Sequence, residues 1–177
     1  DQPGEYRRAM AALRRDQRGL YLAALQSYLW NVMASQWIVR HVPPENRFDV
    51  QIGRWAFAFF RRLSDPVLEQ FRTTHLPLPS ARCPVKTGPI RELMEQAAAE
   101  VGLQVRQLRI KYPRDSFFSK GDRPLLVFPE RLVSHTERDE LNAGRQKLTL
   151  EFDLPRGSYA TILVKRITED HGETDLL

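Results

Sequence analysis

The residues best placed to do chemistry stand close together near the end of the chain. Phe152-Asp153-Leu154-Pro155-Arg156-Gly157-Ser158-Tyr159-Ala160-Thr161, followed by Ile162-Leu163-Val164-Lys165-Arg166, reads as a strand, a sharp Pro/Gly turn and a helix start. A helix N-terminus offers unpaired backbone N–H groups and the positive end of its dipole, so beside Arg156 it is a candidate phosphate or anion site. The same residues equally suit a tight strand-to-helix joint with a surface arginine. A second polar cluster is Lys120-Gly121-Asp122-Arg123, where Gly-Asp in a polar loop reads as a turn rather than a paired acid and base. Cys83 precedes Pro84 with no histidine near it in sequence, which argues against a catalytic thiol. No phosphate-binding G-x-x-x-x-G-K-[ST], dinucleotide G-x-G-x-x-G, metalloprotease H-E-x-x-H or hydrolase G-x-S-x-G motif occurs. With one cysteine and four scattered histidines (His41, His75, His135, His171), a Cys/His zinc site is excluded. On these residues alone the reaction stays open.

The elements that must position them belong to a chain of 177 residues, 42% hydrophobic and 28% charged, a composition that suits a globular protein and not a disordered one. The length allows one large domain or two small ones. A lone cysteine rules out an internal disulfide and fits a reducing compartment. No apolar run approaches the ~18 residues of a membrane helix, and Asp1-Gln2-Pro3-Gly4-Glu5 has neither the basic nor the apolar region of a signal peptide. A cytoplasmic protein with no membrane partner is expected. The net charge of +5 is uneven: residues 1–62 carry ten basic and five acidic side chains, and residues 105–135 seven and three. Residues 136–177 reverse the balance, with six basic against nine acidic. Arginine dominates the basic stretches, and its fork matches phosphate oxygens and stacks on bases. Solvated helix and strand faces would account for the same charge.

Periodicity predicts a short helix over 5–13 and a long one from an Asp16 N-cap to about His41. The long helix would bury Leu22, Leu25, Leu29, Val32, Met33 and Val39, which recur at spacings of three and four, with Tyr21, Tyr28, Trp30 and Trp37 on or beside that face. Pro43 and Pro44 would stop it. Residues 55–60 read as a strand. Ser64-Asp65-Pro66 starts a helix, and Leu76-Pro77-Leu78-Pro79 is an extended connection. Gly88-Pro89 opens a helix that Gly102 closes. Residues 103–110 and 125–128 are strand candidates. Alternation of Leu148, Leu150, Phe152 and Leu154 predicts a half-buried strand. Ser158 would then cap a helix with Ala160, Leu163, Val164 and Ile167 inward, and a polar tail would follow from Glu169. This order of helices and strands predicts a mixed α/β or α+β fold.

Three stretches resemble, in order, motifs of the tRNA pseudouridine synthase D (TruD) family. Leu154-Pro155-Arg156-Gly157-Ser158-Tyr159-Ala160-Thr161 is similar to its closing F-x-L-P-[KR]-G-S-Y-A-T strand and turn. Residues 18–31, RGLYLAALQSYLWN, resemble its R-x-L-Y-L-x-A-x-Q-S-Y-L-[FW]-N helix. Phe117-Phe118-Ser119-Lys120-Gly121-Asp122-Arg123, leading to Leu126-Val127-Phe128-Pro129-Glu130, resembles its F-F-x-K-x-x-R…L-V-x-P-E segment.

The resemblance implies an enzyme that isomerises a uridine of tRNA, typically uridine 13, to pseudouridine with neither cofactor nor metal. An aspartate acts as nucleophile, the glycosidic bond breaks, and the detached base turns and rejoins through C5. The family's G-x-K-D nucleophile motif and its N-x-F-G-x-Q-R-F-G motif are absent, so no catalytic residue is assigned in this chain. The chain is expected to be the second half of a family member, inactive alone, with the missing N-terminal half of the same protein as a partner beside tRNA. Residues 1–130 would be a TruD-type insertion domain, and 131–177 the C-terminal strand-turn-helix of the catalytic domain. By the same resemblance, Arg156, Gly157, Ser158, Tyr159 and Thr161, with Lys120 and Arg123, would line the cleft or bind RNA. Lys165 and Arg166 stand where the family often has Arg-Glu. An alternative reading is a non-catalytic RNA-binding module derived from this family.

Overall fold

The long helix and the stripe it buries organise the first part of the chain. The computed structural model describes residues 6–110 and 117–169, and the chain divides into two units, Asp1–Leu125 and Leu126–Leu177. In the first unit, α1 (Tyr6–Ala12) precedes α2 (Arg15–His41). Asp16 is not the cap of α2. It lies inside the first turn, and the Gln17 carboxamide reaches back instead, its Oε1 accepting the Arg14 N–H at 3.2 Å. Asp16 still suits the positive helix end and pairs with Arg14 at 3.0 Å. At the other end Val42 N–H closes the last turn onto Ile38 O, and two prolines follow that lack donors.

The buried stripe of α2 includes Leu22, Gln26, Leu29, Val32 and Met33. Val39 departs from expectation: it is 51% exposed, and Ile38 is the buried neighbour. At about 100° per residue Ile38 lies nearly opposite Leu29, so it is buried on another side of the helix, outside the core cluster that holds Leu29, Val32 and Met33. Tyr28, Trp30 and Trp37 pack against the core, whereas Tyr21 is exposed.

Against α2 lies a hairpin of β1 (Arg47–Ile52) and β2 (Trp55–Phe60), antiparallel from Arg47↔Phe60 to Ile52↔Trp55. Its two-residue loop is Gly53-Arg54, and Gly53 takes φ +64, the left-handed backbone that short hairpin turns require. Ser35 Oγ of α2 accepts the Ala58 N–H at 2.8 Å, tying the hairpin to the helix. Helix α3 (Asp65–Thr73) sends Phe71, fully buried, edge-on against Phe60. Strand β3 (His75–Pro77) pairs with β4 (Asp122–Pro124), so the Leu-Pro-Leu-Pro stretch is buried as well as extended. Helix α4 (Pro89–Glu100) buries Leu93, Met94, Ala97 and Ala98 in the same core as α2. It ends where Leu103 N–H bonds Ala98 O and Gly102 takes φ +69.

The strands expected over 103–110 and 125–128 do not form. Leu103 N–H is taken by the helix end, and Val105–Gln107 is a 3-10 turn that buries Val105 and Leu108. Strand pairing falls instead on 122–124. In the second unit β5 (Glu130–Arg138) pairs antiparallel with β6 (Gln146–Asp153), and α5 (Ala160–Thr168) follows. β5 carries no apolar alternation, and neither it nor β1 was visible as a strand in the sequence pattern. Among the described residues, no helix is long and apolar enough to cross a membrane. The fold is mixed helix and sheet, as expected.

If the stripe is as described, Leu29→Ala will lower the unfolding free energy by about 2–5 kcal/mol. Val39→Ala on the same helix will stay within about 0.5 kcal/mol. Urea unfolding followed by far-UV circular dichroism separates the two.

Candidate nucleic-acid interface

The terminal motif folds as a turn built by one glycine. Ser158 N–H bonds Pro155 O at 3.1 Å, and Gly157 at the third position takes φ +93, which together are the signature of a type II turn. A Cβ on Gly157 would meet nothing within 4 Å, so backbone conformation and not crowding calls for glycine. Proline presets the chain entering the turn, and Arg156, at its second position, is exposed. Asp153, the last residue of β6, pairs with Arg131 across a register shift between Glu130 and Val133. Arg131 holds the left-handed φ of 49° there, so the ion pair secures a strained bulge beside the turn.

The helix after the turn begins one residue later than expected. Tyr159 occupies the cap position of α5 with no side-chain cap bond, and Ser158 lies before it, half-buried. Ile162 N–H bonds Tyr159 O. The expected inner face is only partly realised: Leu163 is half-buried, while Ala160 is exposed and Val164 and Ile167 are each 46% exposed. Thr161 is exposed and Tyr159 is 64% exposed. Lys165 pairs with Glu169 at 2.5 Å, so Glu169 belongs to the helix end. The tail beyond it lies outside the described residues. Arg156, Gly157, Ser158, Tyr159 and Thr161 are thus brought onto one turn and helix start in the second unit.

Lys120 and Arg123 belong to the first unit. Lys120 is exposed and Arg123 is half-buried on β4, and neither has an ion-pair partner among the described residues. The first part of that polar loop, 114–116, lies outside the described residues. What fixes the rest is Gln26, the glutamine of the motif-like stretch 18–31, to which the sequence assigned no role. Its side chain is 3% exposed. Nε2 donates to Pro79 O and Ser119 O, both at 2.9 Å, and Oε1 accepts the Ser119 N–H at 3.1 Å. Beside it Leu78 N–H bonds Gly121 O, and Phe118 packs against the core. A carboxamide on an otherwise apolar stripe (Leu22, Gln26, Leu29, Met33) is the sequence signal that could have found it.

The tRNA pseudouridine synthase D (TruD) family profile matches residues 1–167. The chain is 28% identical over 163 residues to "Probable tRNA pseudouridine synthase D 2" of Methanocaldococcus jannaschii, covering 92% of this chain and 38% of that protein. It is 26% identical over 162 residues to "tRNA pseudouridine synthase D" of Aquifex aeolicus, covering 92% and 40%. "Probable tRNA pseudouridine synthase D 1" of Methanococcus maripaludis is 27% identical over 156 residues, covering 84% and 38%. The chain belongs to the tRNA pseudouridine synthase D family. It spans about two fifths of the length of these relatives.

Two substitutions test the local construction. Gln26→Leu strands the buried Pro79 carbonyl and removes the partner of the Ser119 backbone, and will cost about 1–3 kcal/mol; the Ser119 amide will lose its protection from hydrogen exchange. Gly157→Val forces a β-branched residue to positive φ and will cost about 1–3 kcal/mol, with faster exchange in α5. Unchanged urea unfolding in either variant would contradict the corresponding geometry.

Proposed function

We propose that this chain is the second half of a tRNA pseudouridine synthase acting on a uridine of tRNA, typically uridine 13, in the cytoplasm. On this reading residues 1–130 form the insertion domain and 131–177 return to the catalytic domain. The nucleophilic aspartate stands in a Gly-x-Lys-Asp segment of the remaining half. It attacks the substrate, the glycosidic bond breaks, the base turns and rejoins through C5 as the aspartate is released, and the proton lost from C5 is matched by one gained at N1, so atoms balance with no cofactor or metal. An extruded base needs a shaped pocket and phosphate contacts around it. Arg156 and the start of α5 would hold a phosphate flanking that uridine, with Ser158 and Tyr159 against the nucleotide, Gly157 shaping the turn and Thr161 on the first helical turn. Lys120 and Arg123 would contact the RNA backbone.

The observation that carries this reading, beside family membership, is the state of the second unit. None of its described residues is buried, and every residue of β5 is exposed. Leu132, Val133, Leu148, Val164 and Ile167 are each 45–52% exposed. A two-stranded hairpin with one short helix does not stabilise itself in water. Such an apolar surface suits a piece of a larger sheet, and the remainder of the catalytic domain is the occupant proposed for it.

The 177-residue chain will therefore convert no uridine in tRNA above a no-protein control, while a form extended to include Gly-x-Lys-Asp will. In that extended form Arg156→Ala will lower kcat/KM by about tenfold or more, as loss of a hydrogen bond to a charged group does. The chain alone will bind tRNA with an affinity that falls steeply with salt, since arginine–phosphate contacts release counterions. Pseudouridine made by the chain alone would overturn the assignment of the nucleophile. Salt-independent binding would overturn the RNA role. An extended form that binds tRNA but leaves uridine unchanged would favour a non-catalytic binding module.

A further inference from the structure

A groove on the first unit, apart from the two polar clusters above, has the chemistry to hold one unpaired nucleobase. It lies between α2, the tip of the β1–β2 hairpin and the end of α4, with a volume of about 260 Å³. That is below the usual range of drug-sized pockets, about 300–1,000 Å³, and of a size for a single base. Its aromatic wall is Trp55, 39% exposed, with the Tyr28 ring 4.6 Å from it and Phe57 beyond, 6.1 Å from Tyr28. The Arg54 guanidinium lies 4.8 Å from the Trp55 ring and has no carboxylate partner among the described residues.

The polar wall is Glu100. Tyr28 OH donates to its Oε2 at 3.2 Å and Gln36 Nε2 to its Oε1 at 3.3 Å. These two bonds orient the carboxylate and leave each oxygen a further lone pair. Burial, and then the negative charge of Glu100, raise the Tyr28 phenol above its ordinary value, so it stays a donor to the carboxylate. Gln36 Oε1 is buried without a partner, an acceptor left over on the same wall.

We propose that this groove binds an unpaired guanine of an RNA strand. The base stacks on Trp55, its N1–H and 2-amino group donate to the two oxygens of Glu100, and Arg54 moves from the ring to the adjoining phosphate. The fit is in charge and shape together. A π-surface accepts any base, only a base with two adjacent donors spans a carboxylate, and an unpaired arginine at the hairpin tip meets the strand's phosphate. The surrounding stretch, 1–62, carries ten basic against five acidic side chains. The inference rests on the RNA reading above and adds a second, base-selective contact to it.

The test is titration of the 177-residue chain with single-stranded RNA heptamers that differ at one central position, guanosine, inosine or uridine, followed by fluorescence anisotropy. Guanosine is expected to bind about tenfold tighter than inosine, which lacks the 2-amino group. Glu100→Gln will abolish that preference. Trp55→Ala and Arg54→Ala will each weaken binding of the guanosine heptamer about tenfold, with Trp55→Phe restoring part of the loss. Equal binding of guanosine and inosine, or Glu100→Gln and Arg54→Ala proteins that melt and bind like the parent, would overturn the proposal. Salt-sensitive tRNA binding that survives such a result would leave the RNA reading intact. Failure of the chain to bind any RNA would remove both.

Discussion

One carboxamide joins three parts of the first unit that are far apart in sequence. Gln26 is buried on the apolar stripe of α2, and its three hydrogen bonds reach Pro79 and Ser119. A hydrophobic residue there would fill the space but leave backbone donors and acceptors unpaired, and a carboxylate would face two carbonyl oxygens. Only an amide supplies a donor pair and an acceptor from one side chain. The β3–β4 pairing, the Leu78–Gly121 bond and the seat of Phe118 all lie beside this clamp. The exposed position of Lys120 follows from the backbone on either side of it being held.

The second unit has no equivalent. Its order comes from the β5–β6 ladder, the Arg131–Asp153 pair at the bulge and the tight turn at Gly157. These fix local geometry without enclosing a core, because a ladder and a turn organise backbone while burial requires a second layer. The two units thus differ in kind: one packs several elements around α2, and the other presents a shaped edge. The sharpest motif in the sequence lies on that edge. This is the arrangement expected where residues are positioned for another body to meet.

Much of the fold was legible because its signals are local. The proline stops after His41, the Gly88-Pro89 helix start, the Gly102 helix end and the alternating strand before Pro155 all act through the residues that carry them. The errors arose where tertiary structure decides. Ile38 is buried nearly opposite Leu29 on α2 while Val39 is exposed, because neighbours that the periodicity of one helix does not reveal enclose that side. Leu103 and Leu108 look like strand residues but close a helix and a 3-10 turn. β5 was invisible because nine exposed residues show no alternation to read. At the site, the Pro-Arg-Gly-Ser turn was readable from its residue types, while the cap register was not. Gln26 and the Glu100 wall depend on partners roughly 50 to 90 residues away, and spacing along the chain does not carry that information.

The open hairpin of the second unit bears on how the chain avoids pairing with copies of itself. Each strand of a two-stranded sheet keeps one unpaired edge, and a free edge is a template on which other copies can add. β5 meets this hazard with composition. Glu130 and Arg131 on one side and Glu137 and Arg138 on the other flank the segment that holds Leu132 and Val133, and Lys147 on β6 is tied to Glu137 and Glu140. Fixed charges of both signs penalise stacking of identical strands in register, because like charges would then sit above one another. The residues that make β5 unreadable as a strand also protect its free edge from misassembly.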